Sequence, residues 1–296
     1  MKYILDSAMG TELANRGVEV PDWKESIWSA DALINNPEVV REIHEDNIKV
    51  GCNVITTNNY YVTPNILKRV GQEKNFKELT QLSIDLAKEA SRDTGALIAG
   101  SFPPIETSFR PDLTPDDEAI TKFYSSIGLI MDNQVDIILC ETMSSIREGL
   151  VAAKTAKKYC DRVWLSWTTR GLNGEALPNG DLLIDAINKA NELDIECQLV
   201  NCQAMDVVTA NIETLKTTEN FGVFSNSSVL KYPLHDLGKG VDIDVNHHSN
   251  TIRVSPKEYA LEAKKWIENG AYVIGGCCNT GPEHIKEIAK LNLMDN

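Results

Sequence analysis

The sequence is poor in positive charge. Its 296 residues carry 29 Lys and Arg against 43 Asp and Glu, a formal net charge of −14, and such a balance repels phosphate backbones and anionic membrane surfaces alike. Nucleic acid is not an expected partner. No apolar run approaches the roughly 20 residues of a membrane span, and the start, MKYILDSAMGTEL, meets Asp6 and Glu12 before the apolar core of a signal peptide can form. A cytoplasmic location with no membrane partner is the expectation. Pro, Gly and Ser gather into no linker or low-complexity tract. The first apolar run is followed by DSAMGTEL, which has a single glycine where a doubly wound nucleotide-binding sheet would carry a Gly-rich phosphate turn. Cysteine is scarce and odd in number, seven in all, which speaks against a disulfide framework and for reduced core thiols or metal ligands. The adjacent pair Cys277-Cys278 is also badly placed to bridge itself, because a disulfide there strains the intervening peptide.

What the chain does have is a rhythm. Eight short apolar, β-branched runs recur: YILD (3–6), NVITT (53–57), ALIAGS (96–101), DIILCET (136–142), VWLSWT (163–168), CQLVNC (197–202), FGVFSN (221–226) and YVIGGCC (272–278). Between them lie amphipathic segments over Pro37 to Val50, Phe76 to Arg92, Pro115 to Asn133, Ser145 to Tyr159, Asp181 to Leu193 and Pro256 to Asn269. Eight strands alternating with helices imply an α/β fold, a single (β/α)8 TIM-type barrel, with residues 1–296 as one domain. Three segments break the rhythm: 17–34, 102–114 and 228–254. All follow strand C-termini, where the loops of a barrel build its active-site face, and for the last, which carries His247 and His248, a lid and a substrate wall are both left open by the sequence.

On this frame Cys202 ends the sixth strand, Cys277 and Cys278 end the eighth, and Glu141 ends the fourth, so all four meet at one mouth. Three thiols with one open position are the ligand set of a catalytic zinc. The spacing alone leaves core packing and metal ligation open, since free cysteine is commonly buried. Cys52, Cys140, Cys160 and Cys197 are read as packing residues.

The segments LDSAMGTEL, ESIWSADALINNPEVVREIHEDNIKVGCNVITTNNY, CETMSSIREG, VNC and GGCCNTGPEHI, in this order and over nearly the whole chain, resemble the homocysteine S-methyltransferase family. The resemblance implies a zinc-dependent barrel that moves a methyl group onto the thiol of L-homocysteine to form methionine, with no protein nucleophile. It places Cys202, Cys277 and Cys278 on the zinc ligands. It gives the homocysteine ammonium to Glu141 and the carboxylate to the backbone around Asp6, Ser7 and Ala8. Read without the family, Asp6 caps a turn as readily, and Glu141 forms an ordinary ion pair.

The methyl donor is expected to carry a fixed positive charge, which aromatic faces hold by cation–π attraction. Trp28, Tyr60, Tyr61, Phe102 and Trp167 are candidates at the mouth, with Trp28 and Tyr61 ranked first. Trp28 in IWSADAL is similar to the group using S-methylmethionine, the first expectation; an aromatic residue at Tyr61 is more like the betaine group. Betaine and dimethylsulfoniopropionate are the alternatives. Ser7 where the family commonly has Gly, NCQAM where relatives read NCT or similar, GSFPPIETSFRP in place of a Gly-rich turn, and SNSS at 225–228 in place of PNSG are departures from the family pattern. They also leave selenohomocysteine open as acceptor. A reading of another class is a non-catalytic zinc barrel completed by His247 or His248. The sequence leaves homo-oligomer formation open.

Overall fold

The computed structural model describes residues 1–170, 174–231 and 251–292. Eight parallel strands carry the fold: β1 (Tyr3–Ile4), β2 (Val54–Thr56), β3 (Leu97–Phe102), β4 (Ile137–Met143), β5 (Val163–Trp167), β6 (Cys197–Asn201), β7 (Phe221–Ser225) and, after the hairpin of β8 (Ser228–Leu230) and β9 (Thr251–Arg253), β10 (Val273–Gly276). Their order is β1-β10-β7-β6-β5-β4-β3-β2. A parallel bridge between Leu5 and Val54 brings the two ends together. All eight apolar runs are therefore strands, and the expected (β/α)8 barrel is the fold.

Period-two alternation sorts the strand residues into two layers. Leu5, Val54, Ala99, Leu139, Trp164, Leu199 and Val273 pack together inside the barrel. Ile55, Ile98, Ile138, Leu165, Val200, Val223 and Ile274 face outward and meet the helices. Glu141 shares the inward parity of Ile137 and Leu139, which aims it up the barrel axis.

The helices start where local chemistry lets them. Pro37 opens the helix Pro37–Lys49 at its first turn, where a missing N–H is not needed. Ser255 and Glu258 form a reciprocal capping box on Pro256–Glu268. The helix expected from Pro115 begins instead at Asp117, because Asp116 accepts from the Ala119 N–H and takes the capping position. The segment expected over Asp181 to Leu193 shortens to Leu183–Ala190. Segment 17–34 is partly helical, its end running into a turn at Trp28–Ala30 and a helix at Asp31–Asn35.

β8 and β9 pair antiparallel, Ser228 opposite Arg253, and open and close the 228–254 insertion. His247, His248 and the rest of 232–250, on which the question of a lid or substrate wall turns, lie outside the described residues. No described helix is long and apolar enough to cross a membrane.

Candidate active site at the barrel mouth

A cavity of about 280 Å³ opens at the C-terminal ends of the strands. Its wall includes Asp6, Ser7, Ala8, Trp28, Tyr60, Tyr61, Glu141, Cys202, Cys277 and Cys278, so the three thiols, the residues expected to bind homocysteine and three of the aromatic candidates meet in one place. Phe102 and Trp167 do not. Phe102 is stacked on Tyr124 at 5.2 Å. Trp167 fills the space over Gly149, where a β-carbon would lie 2.4 Å from its ring, and donates to Gln198 Oε1 at 3.1 Å. Both belong to the outward strand layer.

The three thiols approach closely. Their sulfur atoms all lie within 4.8 Å of one another, and Cys202 Sγ is 3.9 Å from Cys278 Sγ. A zinc–sulfur bond of about 2.3 Å implies sulfur–sulfur edges of about 3.8 Å in a tetrahedron, so the donor set fits that ion. Contacts with Cys277 and Cys278, together with burial, push the Cys202 thiol well above its ordinary range. At Cys277 the contact with Cys202 pulls the other way, but Cys278 and burial prevail and its thiol also rises. Three thiolates can share this space only around a cation.

The cysteines are held by their neighbours. Cys202 follows β6 in a left-handed conformation (φ 58°), which turns its side chain off the outward parity it would share with Val200. The Cys277 N–H donates to the Ser225 carbonyl at 2.8 Å and the Cys278 N–H to Asn226 Oδ1 at 3.1 Å. Thr280 folds back to donate to the Cys277 carbonyl at 2.6 Å. Gly276 makes that fold possible, because a β-carbon there would lie 2.4 Å from Thr280 Oγ1. Beneath the turn, Ser227 gives its N–H to the Cys278 carbonyl at 2.9 Å and pairs its hydroxyl with His284 Nε2 at 3.0 Å. His284 Nδ1 accepts the Gly281 N–H.

Opposite the thiols stand two carboxyl groups. Asp6 accepts from the Thr56 N–H at 2.8 Å and from its hydroxyl at 3.1 Å, yet burial outweighs these bonds and lifts its pKa to about 7. Glu141 accepts from Ser101 Oγ at 2.5 Å; burial, helped by the charge of Asp6, lifts it also to about 7. Each is primed to ionise fully when a cation arrives. Two of the three amides expected to serve an anion are already engaged: Ser7 N–H donates to Asn47 Oδ1 and Ala8 N–H to Thr280 Oγ1, both at 3.1 Å. In that turn the Ser7 hydroxyl is buried without a partner.

Trp28, Tyr60 and Tyr61 form an aromatic wall, with Tyr60 stacked on Tyr61 at 5.5 Å and Trp28 edge-on to Tyr61 at 5.6 Å. Gly10 makes room, since a β-carbon there would come within 2.6 Å of the Trp28 ring. Tyr60 and Tyr61 pair their hydroxyls with Ser108 at 2.8 Å and Thr107 at 3.0 Å. Among the described residues, no Lys, Arg or His lines the cavity.

Sequence reasoning missed Ser101, Thr56 and Asn201. Asn201 is fully buried; its Oδ1 accepts from the Thr142 N–H at 3.0 Å and Ser166 Oγ at 2.7 Å, and its Nδ2 donates to Thr142 Oγ1 at 2.8 Å. It thereby joins the residue before Cys202 to the one after Glu141. The signal was a polar residue at an inward strand position, three times over.

Comparison with known proteins agrees in sequence and in fold. Residues 3–291 match the family described as homocysteine S-methyltransferase. A homocysteine S-methyltransferase of Escherichia coli is 30% identical over 302 residues, spanning 95% of this chain and 92% of the relative. One of Bacillus subtilis is 25% identical over 307 residues, spanning 97% and 93%. The crystal structure of the E. coli homocysteine methyltransferase MmuM in its metallated form superposes with a TM-score of 0.78 at 27% identity, covering 98% of this chain and 96% of that one. This chain belongs to the homocysteine S-methyltransferase family.

Proposed function

We propose that the chain, acting as one domain over 1–296, transfers a methyl group from a cationic donor to the thiol of L-homocysteine, forming methionine. The observation that carries this is the convergence of three thiols, a buried carboxyl pair and an aromatic wall on one cavity. Cys202, Cys277 and Cys278 would hold zinc. Bound there, zinc supplies one thing: it strips the proton from a coordinating substrate thiol, while three cysteinates keep that sulfur electron-rich enough to attack a methyl carbon.

The rest is positioning by this chain. Glu141 receives the homocysteine ammonium, a charge-assisted contact that restores the ionised form burial has disfavoured. Asp6, Ser7 and Ala8 line the carboxylate side. The Ser7 and Ala8 amides are tied internally, and the buried, unpartnered Ser7 hydroxyl is a donor whose torsion is free to turn toward the substrate. The methyl carbon then lies between the homocysteine sulfur and a leaving group seated against Trp28, Tyr60 and Tyr61, whose faces each hold a cation by about 0.5–2 kcal/mol.

S-methylmethionine is the donor the charge balance favours. It bears one net positive charge at neutral pH, its ammonium offsetting its carboxylate, whereas betaine and dimethylsulfoniopropionate are zwitterions of zero net charge, and the described wall holds two acidic side chains and no basic one. The test is methionine formation from homocysteine by zinc-loaded protein with S-methylmethionine, betaine, dimethylsulfoniopropionate and methyltetrahydrofolate in parallel. S-methylmethionine should be the best donor. A zwitterionic winner overturns the donor assignment, and no methionine from any donor overturns the activity.

A further inference from the structure

The helix Ile146–Ala156 carries a carboxylate outside the cavity that the transfer reaction does not use. Glu148 is 2% exposed, and burial pushes its carboxyl up against the pull of its hydrogen-bond donors. A buried acid is destabilising unless it is well partnered, and its partners here form a pattern. Glu148 Oε1 accepts from the Ile105 N–H at 2.8 Å, and Oε2 accepts from Thr114 Oγ1 at 3.1 Å. Tyr124 Oη lies 3.3 Å from Oε1 and donates to the Pro103 carbonyl at 2.9 Å. The preceding Arg147 grips the same end from outside, donating to the Thr114 carbonyl at 3.0 Å and the Pro115 carbonyl at 2.6 Å.

One carboxylate thus fastens both ends of the segment between Ile105 and Thr114. The span between those anchors supplies Thr107 and Ser108, which bind the hydroxyls of Tyr61 and Tyr60. It also supplies Phe109, which lines the cavity in a left-handed conformation (φ 61°). We infer that Glu148 is a positioning residue for the methyl donor: it fixes the 105–114 segment, which in turn fixes the aromatic wall, without touching the thiols or Glu141. This rests on the reading of that wall as the donor side.

The experiment compares the zinc-loaded full chain with Glu148→Gln, Glu148→Ala and the double variant Thr107→Val with Ser108→Ala. Binding of S-methylmethionine is read by calorimetry without homocysteine, alongside the KM of each substrate and the metal content. Glu148→Ala should weaken donor binding and raise donor KM about tenfold or more, as expected for displaced substrate-contacting groups. Homocysteine KM and metal content should stay within about twofold, a split that a general structural role does not produce. Glu148→Gln keeps an acceptor for the Ile105 N–H and should recover most of the loss. If Glu148→Ala does not fold, the double variant decides, because it releases the tyrosine hydroxyls while leaving the buried carboxylate in place. Unchanged donor binding in the double variant, or equal damage to both substrates in Glu148→Ala, overturns the inference. Failure of the wild type to bind S-methylmethionine refutes the donor reading itself, which separates the two failures.

Discussion

Replacing Glu141 with Gln should improve stability and damage function at once. Its carboxyl is lifted from an ordinary 4.5 to about 7, chiefly by burial. Below pH 4.5 the acid is neutral folded and unfolded, and there is no penalty. As pH rises from 4.5 to 7 the unfolded chain ionises first, so folding loses stability, and above 7 the loss is complete. At 1.36 kcal/mol per tenfold change in proton activity this is on the order of 3 kcal/mol, an upper limit because the side chain opens onto the cavity and solvent screens it. Glutamine keeps an acceptor for Ser101 Oγ and carries no charge. Metal-free Glu141→Gln should therefore melt several degrees above wild type at pH 8, and the gap should shrink strongly at pH 5. Losing a hydrogen bond to a charged group is worth about 1.5–3 kcal/mol, so homocysteine affinity should fall roughly 10- to 150-fold, with zinc retained. Thermal melts at both pH values and homocysteine titration check both halves. A variant no more stable at pH 8, or one with unchanged homocysteine affinity, refutes the reasoning.

Cys202→Ser, Cys277→Ser and Cys278→Ser should each lose zinc and turnover while keeping the circular-dichroism spectrum; any of them retaining full metal by mass spectrometry excludes the three-ligand site. Gly10→Ala places a methyl group where the Trp28 ring lies and should raise donor KM more than homocysteine KM in steady-state kinetics. Asn201→Ala leaves the Thr142 N–H and the Ser166 hydroxyl without their acceptor, at about 1–3 kcal/mol for each buried group. Denaturant unfolding should show that loss, and homocysteine KM should rise as the turn beside Glu141 relaxes.

The barrel was legible because eight β-branched runs separated by amphipathic segments leave few other solutions. The place of Glu141 at the mouth was legible from its position near the end of the fourth run, whereas its assignment to the substrate ammonium came from the family resemblance. Phe102 and Trp167 show where the reading failed: nearness to a strand end says nothing about face. Val163, Leu165 and Trp167 share one side of β5, and that side meets the helices. Parity could have settled this from the sequence alone. Cys202 is the opposite case, since alternation directs it away from the axis and only its left-handed backbone brings it in. No residue pattern announces such a turn in a cysteine. The role of Glu148 was hidden for a third reason, because its partners come from a segment more than 30 residues earlier and are largely backbone groups or small hydroxyls.

Backbone strain is concentrated at the cavity. Of the seven non-glycine residues with positive φ among the described residues, Trp28, Phe109, Thr142 and Cys202 line it. Such a conformation costs about 1–3 kcal/mol for each residue, most for bulky or β-branched side chains such as Trp28 and Thr142. It persists only where the surroundings hold it. Thr142 is held through both its N–H and its hydroxyl by Asn201, Trp28 by the space Gly10 leaves, and Phe109 by a segment tied down at both ends on Glu148. Thr142 and Phe109 thus each have a buried restraint behind them, Asn201 and Glu148, that stands outside the cavity wall. Glycine at position 142 would adopt the same turn without strain, but it would remove the hydroxyl that Asn201 binds and free the backbone next to Glu141. Stability and site geometry are therefore coupled here through the same few hydrogen bonds, and substitutions that relax the mouth should cost substrate affinity before they cost the fold.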